Sequence, residues 1–256
     1  MQNLVILGDS NVICLGRALN STSCEDLLGK VYIDYVFNGS LILDFVITLP
    51  GGREIINPMV LKSLVNAGLC HPYAGSPNPF KGCLVLMFGS TLVNSLGLEP
   101  GLRDITFHDV DADGMYFLPK GILLDAALEV CEKFERGLTI LREYWPEAEI
   151  VIYGGPPPPR DSAKTRATMK LLDVPDPKLR LEVYRQNAEA LRIISVRTST
   201  SFALPPAAVL EDDGFIAEKY NDDGFHGTSL YGEVIIREIE RIYLQHYYRL
   251  VDRSYD

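Results

Sequence analysis

Ser10 closes the run Leu4-Val5-Ile6-Leu7-Gly8-Asp9-Ser10, four apolar residues stopped by a Gly-Asp turn, and helix-type periodicity begins directly after it. A serine in that place projects its hydroxyl from the end of a buried strand, where a helix N-terminus offers backbone N–H groups to an anion. Serine is also a favoured helix N-cap, and position alone favours that plain role. His226, one of 4 histidines, follows Asp223 by three residues and precedes Gly227-Thr228-Ser229, where the last helical pattern starts. An aspartate three residues before a histidine on a tight loop can reach Nδ1, hold the tautomer and leave Nε2 to take a proton from a serine. Taken alone, the pair is better read as a solvated loop histidine behind an acidic turn.

Taken together, Gly8-Asp9-Ser10 and Asp223-Gly224-Phe225-His226 resemble the SGNH hydrolases, the GDSL-type esterase and acyltransferase superfamily. His226-Gly227-Thr228-Ser229-Leu230-Tyr231-Gly232 likewise resembles the family's approach to its final helix. The resemblance implies a three-layer, flavodoxin-like α/β fold with a mostly parallel central sheet. It implies Ser10 as nucleophile, His226 as proton relay and Asp223 as the carboxylate that orients it. It further implies an oxyanion site, with Gly39 in Phe37-Asn38-Gly39-Ser40 as a backbone N–H donor after the second strand. The family's third motif, Gly-x-Asn after a central strand, is met by Gly89, but Thr91 stands where asparagine is expected and Asn94 is the nearest asparagine. Either Thr91 or Asn94 replaces that donor, or the chain is a divergent member. Loss of one such donor costs on the order of a hundred- to a thousandfold in rate.

The implied reaction is hydrolysis of a carboxylic ester, of a small molecule or a carbohydrate, through an acyl-enzyme, with no metal or organic cofactor. Two alternatives stay open. An acyltransferase would use the same triad with an alcohol in place of water. A non-catalytic binding module would keep the fold, and the departure at Thr91 is its support.

The elements that must position these groups alternate along the chain. Leu4 to Leu7, Val31 to Phe37, Cys83 to Phe88 and Glu149 to Tyr153 read as strands, the third being the strongest apolar run and ending at Gly89. Leu43 to Leu49 and Arg53 to Ile56 flank Pro50-Gly51-Gly52, a hairpin signal. Helical patterns cover 11–19, 57–67, 177–196 and 229–250. One long amphipathic helix is expected over 122–143, with Leu124, Ala127, Val130, Cys131, Phe134, Leu138 and Leu141 spaced by three and four. Strand-helix alternation with glycine at strand ends predicts a parallel sheet between helices, and ligands in such sheets sit at the carboxyl ends of the strands. No stretch reads as a linker, so one domain over 1–256 is expected.

Composition narrows the partners. With 24 Lys+Arg against 34 Asp+Glu the chain carries −10, and it has no cluster of basic residues, which disfavours nucleic acid. No apolar run is long enough to span a membrane and no signal-type start is present, so a cytoplasmic protein is expected. Cys14, Cys24, Cys70, Cys83 and Cys131 form neither a CxxC pair nor a zinc pattern. Asp109-Val110-Asp111-Ala112-Asp113-Gly114 starts like a calcium loop, but Lys120 stands where a bidentate glutamate is needed. Gly154-Gly155 before Pro156 to Pro159 is no phosphate loop and is expected to shape the rim of the site. Asp212-Asp213-Gly214-Phe215 repeats the first four residues of Asp222-Asp223-Gly224-Phe225-His226, but Ile216 takes the histidine's place, so that copy is expected to be silent. His71, His108 and His246 have no partner pattern, and His246 is expected on a helix face.

Overall fold

The computed structural model describes residues 3–27, 29–36, 44–71, 76–88, 105–106, 116–117, 119–161, 163–169 and 176–253. Its centre is a five-stranded sheet of β1 (Leu4–Gly8), β2 (Val31–Tyr35), β5 (Cys83–Met87), β8 (Glu149–Tyr153) and β9 (Ser201–Ala203), in the order β2-β1-β5-β8-β9. Every neighbouring pair is parallel, with Gly8 in register with both Tyr35 and Met87. This is the flavodoxin-type order, in which the chain first steps to one side of β1 and then crosses to the other. The crevice at the reversal opens at the carboxyl ends of β1 and β5, and Gly8-Asp9-Ser10 lies there.

Helices cover both faces, which is why the inner strands read as unbroken apolar runs rather than as alternations. Val5, Leu7, Leu84, Leu86, Ile150 and Ile152 point to one side. There they meet Val60 and Leu64 of α2 (Pro58–Asn66), Phe134, Leu138 and Leu141 of α4 (Glu132–Tyr144), and Leu191 and Ile194 of α6 (Pro177–Arg197). Ile6, Val85, Met87, Val151 and Tyr153 point to the other side. Their partners are Val12 and Leu15 of α1 (Val12–Leu19) and Tyr231, Ile235, Ile236 and Ile239 of α7 (Ser229–Arg253). The two helices α1 and α7 pack on each other.

Around this frame sit an antiparallel hairpin, β3 (Val46–Thr48) with β4 (Glu54–Ile56), and a two-residue parallel pair, β6 (Ile105–Thr106) with β7 (Tyr116–Phe117). A short helix α5 (Ala163–Met169) lies on the connection between β8 and α6. Among the described residues no helix is long and apolar enough to cross a membrane. All five cysteines are buried, and none is in a disulfide.

The expected helix over 122–143 is instead two. α3 (Lys120–Val130) ends and α4 begins at Cys131, whose φ of −85° and ψ of 3° depart from helical values for one residue, although its N–H still donates to Ala127 O at 3.1 Å and its carbonyl still accepts from Glu135 N–H at 2.9 Å. No glycine or proline marks the break; the two halves bury against different partners. α3 sets Ala127 against Ala190 of α6, while α4 turns its aromatic and leucine face onto the sheet. Tertiary packing thus overrides a local periodicity that runs through unbroken.

Candidate active site

Gly8 ends β1 where nothing larger fits. A Cβ there would lie 2.5 Å from Val12 Cγ1 and 2.6 Å from the Met87 carbonyl oxygen. The close approach lets the Asp9 N–H donate to Met87 O at 3.1 Å, which fastens the turn to β5. Asp9 is buried, and its Oδ1 accepts from the Asn11 backbone N–H at 3.0 Å and the Asn11 Nδ2 at 2.8 Å. This local side-chain turn leaves Ser10 at its crown. Asn11, not Ser10, is the residue that precedes α1, so the serine is not spent as a helix cap. Asn11 is not among the residues singled out by motif, although the Asp-x-Asn spacing is a signal for this turn that the sequence carries.

The second half of the site is the loop before α7. Thr228 N–H donates to Tyr220 O at 3.0 Å and Asp222 N–H to His226 O at 2.9 Å, closing a narrow loop with residues 223–225 at its tip. Asp223 Oδ1 accepts from the backbone N–H groups of Phe225 at 3.0 Å and His226 at 2.9 Å, which fixes the carboxylate plane. Its Oδ2 remains for the imidazole and lies 2.7 Å from His226 Nδ1. His226 Nε2 lies 2.7 Å from Ser10 Oγ, 216 positions away in sequence.

Burial works against charge on Asp223, but the hydrogen bonds from the His226 ring and the two backbone N–H groups outweigh it. The carboxyl is held below its ordinary range. An ionised carboxylate only accepts, so Nδ1 carries the imidazole proton and Nε2 presents its lone pair to the serine hydroxyl. Proton transfer from Oγ to Nε2 thus has hydrogen-bonding geometry already, and the imidazolium so formed faces an anion.

Other expectations resolve individually. Asp222 turns away from the imidazole and pairs with Arg17 at 3.2 Å on the surface. Asp213, in the upstream copy of the acidic turn, pairs with Arg160. His246 stands on α7 beside Lys81 O and Glu149, near the amino ends of β5 and β8 and so at the sheet edge opposite Ser10. The His71 N–H donates to Ser76 O in the segment after α2. Gly39, Gly89, Thr91 and Asn94 lie outside the described residues, as do His108 and the acidic run from Asp109 to Gly114. No group of three or more metal-ligating side chains is gathered among the described residues.

No protein-family model and no curated protein matches this sequence. Among solved structures, similarity extends along most of the chain at low identity. A carbohydrate acetylesterase family member from Sinorhizobium meliloti aligns with 96% of this chain and 99% of its own at 15% identity and a TM-score of 0.49. An extracellular lipase from Streptomyces rimosus aligns with 95% of this chain and 100% of its own at 9% identity and a TM-score of 0.49. A GDSL-like lipase from Bacteroides thetaiotaomicron covers 93% and 88% at 10% identity and a TM-score of 0.45.

Proposed function

We propose that this protein hydrolyses a carboxylic ester through a covalent acyl-enzyme formed on Ser10. The observation that carries the reading is the unbroken hydrogen-bonded chain from Ser10 Oγ through His226 to Asp223, each ring contact at 2.7 Å. In the first half-reaction Oγ attacks the acyl carbon while Nε2 takes the hydroxyl proton. The tetrahedral intermediate collapses, the carbon–oxygen bond to the alcohol breaks, and the proton passes from Nε2 to the departing alkoxide. In the second half-reaction Nε2 takes a proton from water as the water oxygen attacks the acyl carbon; the bond to Oγ then breaks, the proton returns from Nε2 to Oγ, and the acid is released. Asp223 keeps its negative charge throughout and stabilises the imidazolium.

The oxyanion would be taken up by the Ser10 N–H at the strand edge. Gly39, Gly89 and one of Thr91 or Asn94 are the further contributors that the family resemblance implies. The reaction as written needs no cofactor. The test pairs a fluorophosphonate probe with an activated short-chain ester. Ser10 should be the labelled residue, and Ser10→Ala should abolish both labelling and turnover. Wild-type protein that neither takes up the probe nor turns over the ester refutes the proposal. Added alcohol acceptors then distinguish hydrolysis from acyl transfer, because the same three residues serve both.

A further inference from the structure

We infer that the short helix α5 is a brace for the loop bearing Asp223 and His226, with Lys164 and Thr165 as positioning residues. The catalytic consequence rests on the ester-hydrolase reading above; the brace itself rests on contacts. After β8, Gly154-Gly155 and the proline run lead the chain back toward that loop, where Pro158 O accepts from Ile216 N–H at 3.2 Å. Asp161 Oδ1 then accepts from the Ala163 N–H at 2.8 Å and starts α5. The role expected for the proline run, shaping the rim, is thereby made specific: it delivers a helix to the acid–base loop.

The meeting point is Gly224, between Asp223 and Phe225. Its φ of +95° is a conformation that side chains disfavour. A Cβ on it would lie 2.5 Å from Thr165 Oγ1, 2.6 Å from Thr165 N and 2.7 Å from Thr165 Cα. Two backbones 59 positions apart are therefore in direct contact. Thr165 is wholly buried there. Three tethers hold peptide groups of the loop, two at its tip and one in its stem. Gly224 N–H donates to Oδ1 of buried Asn221 at 2.9 Å, Gly224 O lies 3.5 Å from the Thr165 hydroxyl, and Asn221 O accepts from Lys164 Nζ at 3.1 Å. Lys164 is in turn held by Glu218.

The tip needs such help. Asp223 can face Nδ1 only while its own Oδ1 stays bound to the N–H groups of residues 225 and 226, and that requires the 223–225 backbone to keep its turn. A rotation of the peptide before Gly224 would swing Oδ2 off the imidazole. Displacements of about 1 Å at a reacting group cost on the order of a hundredfold in rate.

The test is the double variant Lys164→Met, Thr165→Val, which keeps the stem and the branched shape while removing both side-chain tethers. For an activated short-chain ester, kcat should fall about a hundredfold with KM unchanged, and phosphonate labelling of Ser10 should slow by a similar factor. Thr165→Ser, which keeps the hydroxyl, should stay within about twofold of wild type on the same argument. The long-range 1H–15N spectrum of the His226 ring gives a readout without substrate. Wild type should show the Nδ1–H tautomer, and the double variant a mixture. A folded double variant with wild-type kcat and an unchanged ring spectrum overturns the inference. If the double variant does not fold, Lys164→Met and Thr165→Val are measured singly, and two unchanged ring spectra overturn it equally. Should the wild type hydrolyse no ester and take no probe, the ester-hydrolase reading falls, while the His226 spectrum still decides whether α5 positions the loop.

Discussion

Replacing Asp223 by asparagine tests the proposed chemistry most directly, because it changes one atom of the hydrogen-bonded chain. The introduced amide can still offer its oxygen to the N–H groups of Phe225 and His226, the two bonds that now fix Oδ1. Its nitrogen then occupies the place of Oδ2, 2.7 Å from Nδ1. That nitrogen is a donor, so the imidazole must move its proton to Nε2, and Nε2 then donates to Ser10 Oγ instead of accepting the hydroxyl proton. The base is lost although the packing survives. An Asp-to-Asn change that traps the wrong tautomer in a serine triad costs about ten-thousandfold in kcat. At about 1.36 kcal/mol per tenfold, that corresponds to roughly 5 kcal/mol of transition-state stabilisation. Asp222→Asn removes only an exposed pairing with Arg17, worth at most about 1 kcal/mol of stability, and should leave kcat within about twofold. Initial rates on an activated ester, with circular dichroism to confirm folding, decide the matter. If Asp223→Asn retains a tenth or more of the activity, or if Asp222 is the more sensitive position, the carboxylate has been misassigned.

Three further outcomes follow from the same geometry. Gly8→Ala forces a carbon to within 2.6 Å of the Met87 carbonyl, so β1 must part from β5 beside the nucleophile; denaturant titration should show a loss of about 1–3 kcal/mol, and an undiminished midpoint would show that the strand end can give way freely. Because the Asp223 carboxyl is depressed in the folded state, its stabilising contribution is full above the unfolded value of about 3.9 and drains as pH falls through the lower folded value. The melting-temperature gap between wild type and Asp223→Asn should therefore persist at about pH 5 and close below about pH 4, whereas closure near neutrality would mean that the carboxylate is not held as described. The Tyr231 hydroxyl is fully buried without a hydrogen-bond partner among the described residues. Tyr231→Phe should then leave stability unchanged or raise it by about 1 kcal/mol, and a loss larger than that on thermal unfolding would reveal a partner.

Much of the frame is legible in the chain because burial on both faces writes continuous apolar runs. β1, β5 and β8 are of that kind, each five residues long with glycine at or soon after its end. β9 escapes because three residues, Ser201-Phe202-Ala203, hold no period to detect. The break at Cys131 escapes for a different reason. Its cause is a change of packing partner from α6 to the sheet, and no residue at the junction announces it.

The candidate site divides along the same line between local and distant causes. Asp-Gly marks a turn at both Asp213-Gly214 and Asp223-Gly224, and both glycines adopt a φ of +95°. Local chemistry therefore specifies the turns and cannot rank them. What separates them is what each carboxylate meets. Asp213 faces Arg160, which leaves it an ion pair at the surface, and Asp223 faces an imidazole whose other nitrogen faces Ser10. The spacing of three to His226 is enough to choose Asp223 over Asp222, since the neighbouring carboxylate turns outward to Arg17. Spacing says nothing of Asn221, Lys164 or Thr165. Lys164 and Thr165 meet the loop from 57 and 59 positions away, and the small residue that admits them, Gly224, reads in sequence only as the second half of a turn. A glycine there answers two demands at once, a left-handed backbone and an approaching helix, and only the folded chain displays the second.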